Sequence, residues 1–132
     1  MISIESKIQN LIDFFKNREE IEAVFIIGSY GTEFQMEDSD IDFAILFNRE
    51  VDILTELEIE ANISDILKFD NIDLVNLKKA PITLQKKTIN EGREIYVRDF
   101  NRFCDYIEYV YKRFRDEIYF INNFYKDYFY RG

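Results

Sequence analysis

The chain has 132 residues, enough for one domain with a real core, and at 47% hydrophobic and 17% aromatic it is expected to fold rather than stay disordered. Its net charge of −9 disfavours non-specific binding to DNA or RNA, whose phosphates it repels. Histidine is absent, which removes Ser-His-Asp triads, Cys-His pairs, His-ligated zinc and imidazole bases, and the single cysteine, Cys104, can form no internal disulfide.

The first residues, Met1 to Lys7, contain no apolar h-region, and no window reaches the roughly 18 apolar residues of a membrane span. A cytoplasmic location, with no membrane partner, is the expectation. Ser3 is placed to cap a first helix, with Ile4, Ile8, Leu11, Ile12 and Phe15 at helical spacing. An apolar run from Ala23 to Ile27 reads as a strand and ends in Gly28-Ser29. Ten residues later comes Asp40-Ile41-Asp42, followed by a second apolar run from Phe43 to Phe47. Ile53, Leu54, Leu57, Ile63, Ile66 and Leu67 suggest a second helix, with acids at Glu56, Glu58 and Glu60, and Ile72 to Val75 a short strand. Pro81 suits the first turn of a third helix that stops near Gly92, and Arg93 to Val97 one more strand. From Asp99 to Tyr130 the chain reads as one long helix, with Phe103, Ile107, Val110, Phe114, Ile118, Ile121 and Tyr125 on one stripe. Strands alternating with helices place a single domain over 1–132 in the α/β or α+β class.

Side chains alternate along a strand, so Asp40 and Asp42 share a face. Two carboxylates that close repel by about 4 kcal/mol at an effective dielectric near 20, and a hard divalent cation such as Mg²⁺ relieves that with oxygen ligands. The Gly28-Ser29 turn offers backbone N–H groups and a hydroxyl, which are phosphate-binding groups. Asp73 opens the next strand, with the alternation to face the same site. The plainer alternative is a solvated acidic loop beside a turn glycine.

Gly28-Ser29, Ser39-Asp40-Ile41-Asp42 and Asp73 within Asn71 to Val75 together resemble the signature of minimal nucleotidyltransferases, in the polymerase-β-like superfamily. Small size and the tail from Pro81 onward are similar to the antitoxin branch, whose members pair with HEPN-domain toxins. The resemblance implies a small mixed sheet packed by helices and a long C-terminal helix. It also implies transfer of AMP from ATP to a tyrosine hydroxyl of the toxin, an RNase that is thereby silenced. In that scheme Asp40, Asp42 and Asp73 are the catalytic residues and hold two Mg²⁺ ions, while Gly28 and Ser29 bind the nucleotide phosphates. Asp73 joins the metal that activates the acceptor, or takes the acceptor's proton. The alternatives are an antitoxin that neutralises by binding alone, and a transferase acting on a small molecule of the aminoglycoside type.

No lysine or arginine lies between Arg18 and Arg49, so the loop carries acid where a triphosphate prefers base. Lys86, Lys87 and Arg93 are the candidates to supply it, each weighed against an ordinary surface charge. Seven of the nine tyrosines fall between Tyr106 and Tyr130. Tyr119, Phe120, Phe124, Tyr125, Tyr128 and Phe129 are too many rings for one core and read as an interface, equally suited to a homodimer or to toxin docking. Cys104, on the same helix, reads as a small hydrophobe.

Overall fold

Helical periodicity and alternating strand patterns resolve into a four-stranded mixed sheet with two helices on each face. The computed structural model describes residues 4–27 and 40–129. A short 3-10 turn, Glu5–Lys7, leads into α1 (Ile8–Lys16), followed by β1 (Ile21–Ile27), β2 (Ile41–Phe47) and α2 (Ile53–Leu67). Then come β3 (Ile72–Asn76), α3 (Ile82–Glu91), β4 (Arg93–Val97) and α4 (Phe100–Phe129). The strand order is β3-β2-β1-β4. β1 runs antiparallel to both β2 and β4, whereas β3 lies parallel to β2, as the intervening α2 crossover requires.

Strand alternation divides the core in two. Val24, Ile26, Ile41, Phe43, Ile45 and Ile72 point towards α1 and α2, where Leu11, Phe15, Ile59, Ile63 and Leu67 meet them. Ala23, Phe25, Ala44 and Leu46 point the other way, against Ile82 of α3 and Phe103, Tyr106 and Val110 of α4. Beyond Glu22 and Asp42 both central strands are therefore apolar on both faces, and 23–27 and 43–47 read as unbroken hydrophobic runs.

Local chemistry fixes the ends of the elements. Asp52 caps α2 by accepting a 2.8 Å bond from Thr55 N–H. The helix stops where Lys68 adopts a left-handed φ of 54°. Asp99 caps α4 through the N–H of Arg102 at 3.0 Å. The guanidinium of Arg98 donates to the carbonyls of Phe15, Lys16, Arg18 and Ile21, so one side chain satisfies the end of α1 and ties it to the start of β1.

The helix expected from Ile53 to Leu67 is α2; Ile59, Ile63 and Leu67 form its core stripe, and a helix rotated to bury these turns Ile53, Leu54 and Leu57 to solvent. Cys104 is exposed, because the adjoining Phe103 occupies the sheet-facing position. One boundary needs correction: Pro81 sits one residue before α3 rather than inside its first turn. The proposed Ser3 cap lies outside the described residues.

Candidate active site

The acidic site is built by strand register. Asp42 and Asp73 are direct partners across the parallel β2–β3 pair. Each is flanked by residues committed to the α1/α2 core, Ile41 and Phe43 in one case and Ile72 and Leu74 in the other. Both aspartates therefore project from the α3/α4 face. Asp40 precedes β2 by one residue and lies one alternation back from Asp42. On the other side of Asp42, its antiparallel partner is Ile27, the last residue of β1. Gly28 and Ser29 continue from there, but with the rest of 28–39 they lie outside the described residues.

The electrostatics mark the three acids as one group. Partial burial raises the pKa of Asp42 above the ordinary carboxylate range, and the charges of Asp73 and Asp40 push it further. Asp73 is raised as well, by desolvation, then by a hydrogen bond with Asp40 and that residue's charge. Asp42 is half-buried and Asp73 exposed, so water screens Asp73 more. Carboxyls in hydrogen-bond contact must share protons or a cation. The donor set is oxygen alone, which suits Mg²⁺. Among the described residues, no three acid side chains already close into a metal-holding group.

Sequence reasoning missed Glu60. On α2, its pKa is raised by burial and by the charge of Asp73. Among the acids of that helix nothing in the sequence distinguishes it, because its approach to Asp73 depends on how α2 crosses the sheet.

The candidate triphosphate cations fare differently. Arg93 pairs with Ile26 in register, on the α1 side of the sheet, and binds Glu5 at 2.6 Å, on the face opposite to Asp42. Lys86 lies 4.3 Å from the centre of the Phe114 ring. Lys87 is exposed on α3. Arg18, nearest to the loop on its N-terminal side, is held by Glu20 at 3.3 Å and Glu58 at 3.0 Å.

A second concavity, of about 600 Å³, lies on the same face at the far end of β2, lined by Leu46, Phe47, Gln85, Arg102, Tyr106 and Tyr109 among others. Its floor is fully partnered: Glu22 is buried and bridged by Arg102 at 3.1 Å, and Tyr106 donates to Gln85 Oε1 at 2.7 Å. Five residues of strand separate Asp42 from Phe47, about 17 Å, so this cleft is distinct from the acidic site.

The long helix divides as its stripe does. Phe103 and Val110 are buried and Ile107 half-buried, whereas Ile118, Tyr119, Phe120, Ile121 and Phe124 are exposed. The side chains of Tyr125, Tyr128 and Phe129 lie outside the described residues.

Comparison with known proteins bears on the fold that carries this site. Residues 9–101 match the family described as polymerase beta, nucleotidyltransferase. Protein adenylyltransferase MntA of Shewanella oneidensis is 28% identical over 92 residues, which span 70% of this chain and 64% of MntA, so the match covers less than two thirds of that relative. A solved toxin–antitoxin structure with AMP-PNP superposes at a TM-score of 0.65, with 24% identity over 90% of this chain and 95% of the other. The structure of tri-AMPylated Shewanella oneidensis HEPN toxin in complex with MNT antitoxin superposes at 0.64, with 20% identity over 92% and 97%. At these identities the structural likeness is one of fold.

Proposed function

Because the chain belongs to the polymerase beta nucleotidyltransferase family, we propose that this single domain is a cytoplasmic protein adenylyltransferase that transfers AMP from ATP to a tyrosine of a HEPN toxin and so neutralises it. The observation that carries the reading is the register of Asp42 beside Asp73 on one sheet face, with Asp40 one alternation away. Relatives of similar sequence or fold are a protein adenylyltransferase and an antitoxin bound to an AMPylated toxin, which supports the same class of reaction.

Asp40, Asp42 and Asp73 would hold Mg²⁺, which when bound neutralises triphosphate charge and favours the ionised acceptor. In the transfer, the tyrosine oxygen forms a bond to the α-phosphorus of ATP. The bond from that phosphorus to the bridging oxygen of the β-phosphate breaks, and pyrophosphate leaves. Asp73 would join the metal that favours the ionised acceptor, or else stay off it and take the acceptor's proton. Gly28 and Ser29, which follow β1 directly, are assigned to the phosphates.

A second reading is an antitoxin that binds without catalysis. It is favoured by the engagement of Arg18 with two glutamates and by the absence of Lys or Arg up to Arg49, which leaves few cations near the loop for a triphosphate. Incubation with labelled ATP, Mg²⁺ and the HEPN protein separates the two. The enzyme reading predicts label on a toxin tyrosine, lost in Asp40→Asn and Asp42→Asn. A stable complex with no label under any condition would favour binding alone.

A further inference from the structure

Positive charge is scarce at the acidic site, first by sequence. Residues 19–48 contain no lysine or arginine, and that span holds β1, β2, the loop between them and both Asp40 and Asp42. The cations that geometry could bring from elsewhere are engaged or turned away. Arg93 binds Glu5 on the opposite face of the sheet, and Arg18 is held by Glu20 and Glu58. Lys86 lies against the Phe114 ring. Lys87 sits roughly 160° around α3 from the middle of its buried side, formed by Ile82, Gln85 and Thr88. Lys68 closes α2, in the layer that covers the other face. The acids carry the imprint of this scarcity. Burial and then the neighbouring carboxyls raise the pKa of Asp42 and Asp73, and no lysine or arginine among the described residues lowers either.

Nucleotidyl transfer asks for a cation there. Three carboxylates offset most of the charge of the Mg²⁺ they would hold, so a bound triphosphate stays strongly negative. When the bond from the α-phosphorus to the bridging oxygen breaks, its electrons stay with the departing pyrophosphate, which gains charge in the transition state. A cation fixed beside those oxygens lowers the barrier, and a guanidinium offers paired N–H donors that match them. A chain of net charge −9 also attracts basic partner surfaces rather than acidic ones.

We propose that the HEPN partner completes the site in trans: an arginine close to its acceptor tyrosine reaches the β- and γ-phosphates of ATP bound at Asp40, Asp42 and Asp73, and supplies the positive charge that residues 19–48 lack. The proposal rests on the adenylyltransferase reading above. It makes ATP and the partner bind cooperatively, each raising the affinity for the other by the same factor. It also confines efficient transfer to hydroxyls that bring a cation with them.

The test measures nucleotide binding by titration calorimetry in Mg²⁺, for the full chain alone and in complex with the purified HEPN protein. The probe is α,β-methylene ATP, which cannot release AMP. Its affinity should rise about tenfold or more in the complex, whereas AMP, without β- and γ-phosphates, should bind alike in both. Partner arginines near the acceptor tyrosine are then replaced by glutamine one at a time. One replacement should abolish the gain and slow AMP transfer by on the order of 10³-fold, with the nucleotide-free complex keeping its affinity. In this chain Lys68→Ala, Lys86→Ala and, on α4, Arg113→Ala should change the probe's affinity less than about threefold. A loss of about tenfold in any of these would place the cation in cis and overturn the proposal. Equal affinity alone and in complex would overturn it too, as would a gain shared by AMP, which would put the contact on the nucleoside. If a partner arginine tightens ATP binding yet no AMP is transferred, the adenylyltransferase reading fails and the cation in trans stands. If AMP is transferred while the isolated chain binds the probe as tightly as the complex does, the cation in trans fails and the reading stands.

Discussion

Asp42→Asn should stabilise the protein at neutral pH while abolishing its chemistry. Asp42 and Asp73 are register partners on adjacent strands, whose backbones lie about 4.8 Å apart. Two unit charges about 5 Å apart repel by roughly 3 kcal/mol at an effective dielectric of 20 and by under about 1 kcal/mol in water. Asp73 is exposed, so the figure belongs near the lower end, about 1 kcal/mol. For a domain of this size that is a rise of about 4 °C in Tm. The sign follows from the raised folded-state pKa of Asp42. Such a group contributes its stability in full below its unfolded pKa, near 3.9, and loses it as pH rises through the folded value. Asparagine escapes that loss, so the gain should be complete at pH 7 and absent near pH 3. Salt at about 1 M should reduce it. Mg²⁺ should act oppositely, raising the Tm of the parent and leaving the variant little changed. Thermal melts by circular dichroism across pH, with and without Mg²⁺, read all of this. A variant that melts at or below the parent at pH 7, or that responds to Mg²⁺ as the parent does, would refute the reasoning.

Four further outcomes follow from packing. Phe103→Ala should cost about 3–5 kcal/mol in urea unfolding, whereas Phe120→Ala on the same helix should stay within about 0.5 kcal/mol. Gly92→Ala should lower stability by about 1–3 kcal/mol, because its Cβ would stand 2.5 Å from the Thr88 carbonyl oxygen that already accepts the Gly92 N–H. Tyr106→Phe strips the buried Gln85 Oε1 of its donor and should cost about 1–2 kcal/mol by the same measurement. Lys68→Gly, at the left-handed end of α2, should raise stability by about 0.5–1 kcal/mol.

Much of this architecture is legible in the sequence because its signals are local. The runs ending at Ile27 and Phe47, the Pro81 and Gly92 boundaries of α3, and the 3.6-residue stripe of α4 each follow from a few neighbouring residues. The shared face of Asp40 and Asp42 follows from alternation alone, and Asp73 joins them through a parallel register that its position in β3 made plausible. What depends on the rotation or crossing of a helix stays hidden. Which apolar residues of α2 meet the core is undecided until the helix is set on the sheet, where Ile53 and Leu54 face solvent, and Glu60 looks like any solvated acid until that helix carries it near Asp73. Arg98 reads as a surface cation, although its guanidinium joins carbonyls roughly 80 residues away in the chain. Arg93 stays open between a phosphate partner and an ordinary surface charge until strand pairing turns it to the opposite face.

The central claim, nucleotidyl transfer by Asp40, Asp42 and Asp73, is tested most directly by following the two ends of ATP separately. With Mg²⁺ and the HEPN protein, label on the α-phosphate should become covalently attached to the toxin, and label on the γ-phosphate should leave as pyrophosphate. Asp42→Asn should do neither while still binding the toxin. Attachment of the γ-label, or α-labelling that persists in Asp42→Asn, would contradict the account.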